Sequence, residues 1–274
     1  MLKKNLLKTL SPNRSFRTGA IALALMGLLL PACTTTEETD TPDVTSQEAV
    51  KEPETVAENA DELFGQTITA RGEVGEVVDN ISFTLADDDF FGGEEILIVN
   101  ASGEPIELPE DGEVLVKGEV RKFNAFDFEG EFDLDWDPTD DYGEQPTIVA
   151  EYIAISPDAG EVTGNPTDYY GQTVAVGGEI EEMEGTDGAI AFKLDEDQVA
   201  GAGDLIVLNL TDPTATYEPG DEVVVTGQVR SFVLAEVEKE YDLTWDLDVK
   251  ESLETEYTNK PVLIATEIVP QADQ

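Results

Sequence analysis

The chain has 274 residues, enough for one large or two modest domains with cores of their own. Its 61 acidic residues stand against 15 basic ones, a formal net charge of −46 that repels nucleic-acid phosphates and anionic head groups. Histidine is absent and there is a single cysteine, so the commonest general base and any intramolecular disulfide are excluded, which argues against most enzyme classes.

The amino terminus is basic and then apolar. Lys3, Lys4, Lys8, Arg14 and Arg17 precede Cys33 and no acid does, so a chain beginning at Cys33 carries 61 acids against ten bases, a net −51. The apolar run "GAIALALMGLLL" (Gly19–Leu30) has twelve residues, too few to span a bilayer but the length of a signal-peptide hydrophobic core. "LPAC" follows. Leu30, Ala32 and Cys33 resemble the lipobox of bacterial lipoproteins, with Pro31 a departure from the small or β-branched residue usual at that place. The resemblance implies that residues 1–32 are a signal peptide, that Cys33 is lipidated, and that the protein is exported and anchored to a membrane of the cell envelope. Thr34, in place of an aspartate after the cysteine, points to the outer membrane by analogy with enteric sorting, and the periplasmic face remains the other option.

Residues 33–59, beginning "CTTTEETDTPDVTSQEAV", are rich in Thr, Glu and Pro and poor in large apolar side chains. Such a segment buries too little surface to offset chain entropy and is expected to be a disordered acidic tether, reaching on the order of 30 Å as a coil.

Beyond it the sequence is a tandem repeat. "FGQTITARGEV" (Phe64–Val74) matches "YGQTVAVGGEI" (Tyr170–Ile180), and "EEILIVN" (Glu94–Asn100) matches "GDLIVLN" (Gly203–Asn209). "DGEVLVKGEVRKF" (Asp111–Phe123) matches "GDEVVVTGQVRSF" (Gly220–Phe232), and "PTIVAEYI" (Pro146–Ile153) matches "PVLIATEI" (Pro261–Ile268). The offset drifts only from 106 to 115. The expected domains are residues 60–156 and 167–270, with 157–166 as the linker.

Each copy reads as five strands. The first alternates and is β-branched, the second is "ISFTLA" or "AIAFKLD", and the third is an apolar run. The fourth has the form V-x-V-x-G-x-V, and a final "IVAEYI" or "LIATEI" follows. Gly72, Gly118, Gly178 and Gly227 lie inside strands, where glycine marks the bulge or sharp coil that a small closed barrel needs. The expected fold class is all-β: two tandem five-stranded barrels that resemble the OB-fold, most closely those of exported bacterial proteins with this patterning. Short helices are expected between strands four and five.

OB barrels ordinarily bind across strands two and three with aromatic and basic side chains. Phe83 and Phe192 sit in those strands but alternate as core residues. Arg121 and Arg230 hold matching positions after strand four and are expected to pair with carboxylates. No nucleophile–base pair, glycine-rich phosphate loop or nuclease-like acid and arginine cluster can be assembled. The turns "DDDFFGGEE" and "DEDQVAGAGD" supply candidate cation ligands, Asp87, Asp88, Asp89, Asp195 and Asp197, for weak Ca²⁺.

"DLDWDPTDDYGE" (Asp133–Glu144) places acids at EF-hand positions but has Pro138 where that loop needs glycine. Its second copy begins "DLTWDLD" and loses the third-position acid. What both keep is Leu and Trp, so Leu134, Trp136, Leu243 and Trp245 are expected to anchor the long connection between strands four and five. Asp248 is the expected N-cap of a helix carrying Leu253 and Tyr257, "VLAEVEKEY" forms another, and Gly130 is expected to interrupt the equivalent helix in copy one.

The leading expectation is a non-enzymatic, lipid-anchored envelope protein, monomeric and without a resident cofactor, that binds an envelope protein or glycan. A low-affinity calcium-dependent surface or adhesion protein is the alternative. Binding of single-stranded nucleic acid or oligosaccharide is third, with nucleic acid disfavoured by charge.

Overall fold

The computed structural model describes residues 49–87, 95–103, 105, 107–109, 112–132, 145–183, 191–195, 204–210, 217–241 and 244–272. Ten strands form two closed barrels of identical order. In the first, β1 (Thr67–Val77), β2 (Ser82–Ala86), β3 (Ile96–Asn100), β4 (Glu113–Lys122) and β5 (Pro146–Ile155) run β1-β2-β3-β5-β4, and β4 returns to β1. In the second, β6 (Thr173–Glu182), β7 (Ala191–Asp195), β8 (Leu205–Asn209), β9 (Glu222–Ser231) and β10 (Pro261–Pro270) repeat that order. Strands three and five of each barrel pair in parallel and all other pairs are antiparallel. This is the OB topology.

Period-two alternation sends one set of side chains into each barrel. Ile68, Ala70, Phe83, Leu85, Val114, Val116 and Ile148 fill the first interior, and Val174, Val176, Phe192, Leu194, Val223, Val225 and Leu263 the second. Glycine is required where the barrel bends. A Cβ at Gly118 would run into the Val149 carbonyl, and one at Gly227 into the Ile264 carbonyl. At the same points the pairing of β4 with β5 skips Glu151, and that of β9 with β10 skips Thr266. These bulges let long strands turn a corner and close the ring.

The third strand of each repeat is buried on both faces, which is why it reads as a continuous apolar run. Ile96 and Ile98 point into barrel one, whereas Leu97 and Val99 join Phe123, Phe128 and Val149 in a second, outer cluster. That cluster is roofed by α3 (Ala125–Phe132), on the connection between strands four and five. In barrel two, Ile206, Leu208, Val262 and Ile264 are covered in the same way by α6 (Leu234–Tyr241) and α7 (Leu247–Tyr257) through Leu234, Val237, Leu253 and Tyr257.

Four expectations change. The disordered tether does not extend to residue 59: Val50 and Lys51 form β-bridges, and α1 (Pro53–Glu58) and α2 (Ala60–Leu63) follow. The segment expected as a linker, 157–166, is largely the matching helix α4 (Ala159–Gly164), with α5 (Pro166–Tyr169) beginning at its end. One valine explains both, because Val56 and Val162 are fully buried in the two barrel interiors. A single inserted side chain fixes a helix that average composition leaves unmarked. Gly130 does not interrupt α3: contacts of Phe128 with Phe123 and Phe132, at ring-centroid distances of 5.5 and 5.7 Å, outweigh the ~1 kcal/mol cost of a helical glycine. Finally, α7 starts one residue after Asp246, so Asp246 and not Asp248 is its N-cap residue.

Candidate functional site: the seam between the barrels

The outer face of strands two and three, where an OB barrel ordinarily takes its ligand, offers little here. On β2 the outward Ser82 and Thr84 are buried and locally bonded: Ser82 Oγ donates to Asp79 Oδ1 at 2.6 Å, and Thr84 Oγ1 accepts from the Glu76 amide at 2.8 Å. Leu97 and Val99 on β3 lie beneath α3. In barrel two the corresponding face holds Ala191, Ile206 and Leu208 beneath α6 and α7, together with Lys193, whose ammonium pairs with Asp204 at 2.8 Å. That hydrogen bond raises the Lys193 pKa above its ordinary value, against the opposing effect of burial. Phe83 and Phe192 are core residues of the barrel interiors, so neither is a stacking platform.

The matching arginines hold the roofing helices down. Arg121 makes a two-pronged contact with Glu131, at 3.0 and 2.9 Å, and lies 4.8 Å from the centre of the Phe128 ring. Arg230 meets Glu240 at 2.9 Å, again ten residues along. Each hydrogen bond raises its guanidinium pKa, and Arg121 holds the Glu131 carboxyl below the usual carboxylate range.

The calcium candidates divide. Asp87 lies at the end of β2 and its Oδ2 accepts the backbone N–H of Glu54 in the first turn of α1, at 3.0 Å. Asp87 therefore caps a helix that lies in the segment expected to be tether. Asp195 lies on β7, paired with Glu179 of β6. Asp88, Asp89 and Asp197 lie outside the described residues, as do Cys33, Leu134, Trp136, Leu243 and the whole of Asp133–Glu144. Among the described residues no group of three carboxylates stands close enough to hold a metal ion. Trp245 is half-buried and packs against the cluster under α6 and α7.

What the structure brings together, and the sequence did not announce, is a seam. Leu115, Ala154, Ala175, Val224 and Val269 form an apolar cluster between the barrels, with Val50 among them. Leu115 and Val224 occupy the same position in the two repeats, as do Ala154 and Val269, so each barrel offers its partner the outer face of the same strands. Lys117 of β4 reaches across to Glu267 of β10 at 3.0 Å. Beside that pair, burial and then the Glu267 charge push the Tyr152 phenol pKa up.

At one end of the seam is a notch of about 250 Å³ lined by Arg71, Glu73, Gly112, Glu113, Ser156, Asp158 and Glu161. Arg71 Nε donates to Ser156 Oγ at 2.7 Å, and its guanidinium contacts Glu113 and, at 3.8 Å, Asp158. Ser156 Oγ in turn donates to the Ala175 carbonyl at 2.6 Å, crossing from one barrel to the next. The hydroxyl proton is therefore directed at the Ala175 carbonyl, and this chain of contacts joins one barrel to the next. Its signal in the sequence was the pairing of Arg71 with a glycine, Gly177, when the repeats are aligned.

No protein-family model matches the sequence, and no curated protein matches it. Solved structures similar to it include the single-stranded DNA binding protein of Thermus aquaticus, in a deletion variant at 12% identity and in its wild-type form at 10%. Each comparison covers 77% of this chain and 97% or 95% of the other, with TM-scores of 0.22 and 0.21. At such scores the fold assignment stands on the strand order of the two barrels themselves.

Proposed function

We propose that the protein is a non-enzymatic interaction module of the cell envelope, held to a membrane by a lipid on Cys33, in which two OB barrels act as one acidic body. The observation that supports this reading best is the roofing of both ligand faces. Among the described residues, the outward side chains of strands two and three are buried under the chain's own helices or bonded locally, none of them is aromatic, and the cation there, Lys193, is held by Asp204. A surface of this kind gives a nucleic-acid strand nothing to stack on and repels its phosphates. What remains for recognition is the carboxylate-rich exterior, suited to a basic region of an envelope protein or to a glycan.

The experiment has two arms. Mass spectrometry of the native protein is expected to find a lipid on Cys33 with residues 1–32 removed, and an unmodified cysteine behind an intact leader overturns the anchor. Oligonucleotide binding at low salt and turnover in hydrolase screens are both expected to be absent. Salt-sensitive binding of a single strand, or activity abolished by one carboxylate substitution, overturns the functional reading. Calorimetry in millimolar calcium decides the alternative, since a binding heat with a raised melting temperature favours a calcium-dependent surface protein.

A further inference from the structure

The chain re-enters between the barrels before it builds the first one. Val50 donates its N–H to the Pro270 carbonyl at 2.9 Å and accepts from the Ala272 amide at 3.0 Å, both in barrel two's final segment. Lys51 donates to the Thr69 carbonyl at 2.9 Å and accepts from the Arg71 amide at 3.1 Å, both on β1 of barrel one. Two consecutive residues thus bond to opposite sides, as in the middle of a sheet, and splice β1 to the end of β10. The Val50 side chain, 3% exposed, completes the apolar seam.

We propose that Val50–Lys51 is a clasp: a two-residue strand that couples the barrels and leaves before either unfolds. Each barrel is a ring in which every strand has two partners, so local opening is costly there. The clasp has four backbone hydrogen bonds and one buried side chain, and its removal breaks no ring. Its departure returns the polar groups of Thr69, Arg71, Pro270 and Ala272 to water and uncovers the slot that Val50 fills. The order of the chain matters as well: Val50 and Lys51 precede β1 in the sequence, so a pull from the amino-terminal side reaches the seam first. The clasp follows from geometry alone, whereas its release by tension on the tether rests on the proposed lipid anchor.

The test uses the full chain produced without lipid, so that failure of the anchor cannot be confused with failure of the clasp. Val50→Asp places a charge in the seam, and Lys51→Pro removes one donor without touching the apolar cluster. Differential scanning calorimetry is expected to give one transition for the parent chain and two for each variant, with a larger radius of gyration by X-ray scattering. Amide exchange at Arg71 and Ala272 is expected to accelerate by up to about tenfold, the equivalent of one lost hydrogen bond, while exchange in β4 and β9 stays slow. The slow strands show that both barrels remain folded. A single unsplit transition in a variant whose Arg71 and Ala272 amides have lost protection overturns the proposal, as does a parent chain whose barrels already melt separately.

Discussion

Arg71 lies against Gly177, the residue that holds its own position in the second repeat. A Cβ added at Gly177 would stand 3.2 Å from Arg71 Nη1, so the glycine makes room for the guanidinium that joins the barrels through Ser156. The repeats meet through equivalent faces, yet this contact works only because they differ here. Gly177→Val is therefore expected to cost about 1–3 kcal/mol in chemical denaturation, by crowding a filled site. Arg71→Ala should cost about 1–2 kcal/mol, for a partly exposed charged hydrogen bond. The double variant should cost clearly less than the sum, because valine has nothing to displace once the arginine is gone. Additive costs would show that the two side chains do not share the site.

Asp87 supplies the second prediction. Its carboxylate receives the Glu54 amide at the start of α1, and Val56 on that helix is buried in barrel one. Asp87→Ala is expected to destabilise barrel one by about 1 kcal/mol, the usual loss for an amino-terminal cap. Because the carboxylate serves the helix, the difference between parent and variant melting temperatures should be the same with and without millimolar calcium. A difference that grows on adding calcium would show that Asp87 ligates the cation as well as capping the helix.

The strands were legible because repetition and alternation reinforced each other: "VLVKGEV" and "VVVTGQV" reveal fold, kink and register together. The seam was not, for a physical reason. Leu115 stands between Val114 and Val116, and an all-apolar triplet does not say which outer face meets solvent, a helix or another barrel. Val50 and Val56 were hidden in a stretch whose average composition is that of a disordered chain. The expectation that Arg121 and Arg230 meet carboxylates matches their pairs with Glu131 and Glu240. The mismatch of Arg71 with Gly177 was visible in the alignment and is the clue that bears on the seam.

Strong acid should release the clamp over barrel one. Arg121 holds the Glu131 carboxyl below its ordinary value, mainly through their hydrogen bond. A depressed folded-state value means that the contribution to stability is present above the unfolded pKa of about 4.3 and is lost as pH falls through the folded value. A nuclear magnetic resonance titration of the Glu131 carboxyl should therefore show a midpoint below that of an ordinary glutamate. In Arg121→Gln the midpoint should return to the ordinary range. An unshifted midpoint in the parent chain would mean that the clamp does not persist in solution.

Base should act on the seam. The Tyr152 phenol is raised above its ordinary value of about 10, first by burial and then by the Glu267 carboxylate, so the folded state favours the neutral ring. A raised folded-state value gives stability that is complete below the unfolded pKa and is lost as pH rises through the folded value. Ionised Tyr152 would stand beside Glu267, the residue that Lys117 reaches across the seam, and two negative charges would then compete for one ammonium. Tyr169 and Lys193 are shifted in the same direction, so alkaline loss of stability in the parent chain alone does not isolate the seam. Tyr152→Phe does, because it keeps the ring and removes the titrating group. The variant's melting temperature should follow the parent's at pH 8 and fall less steeply above about pH 10. Identical slopes for the two chains would show that the phenol does not report on the joint between the barrels.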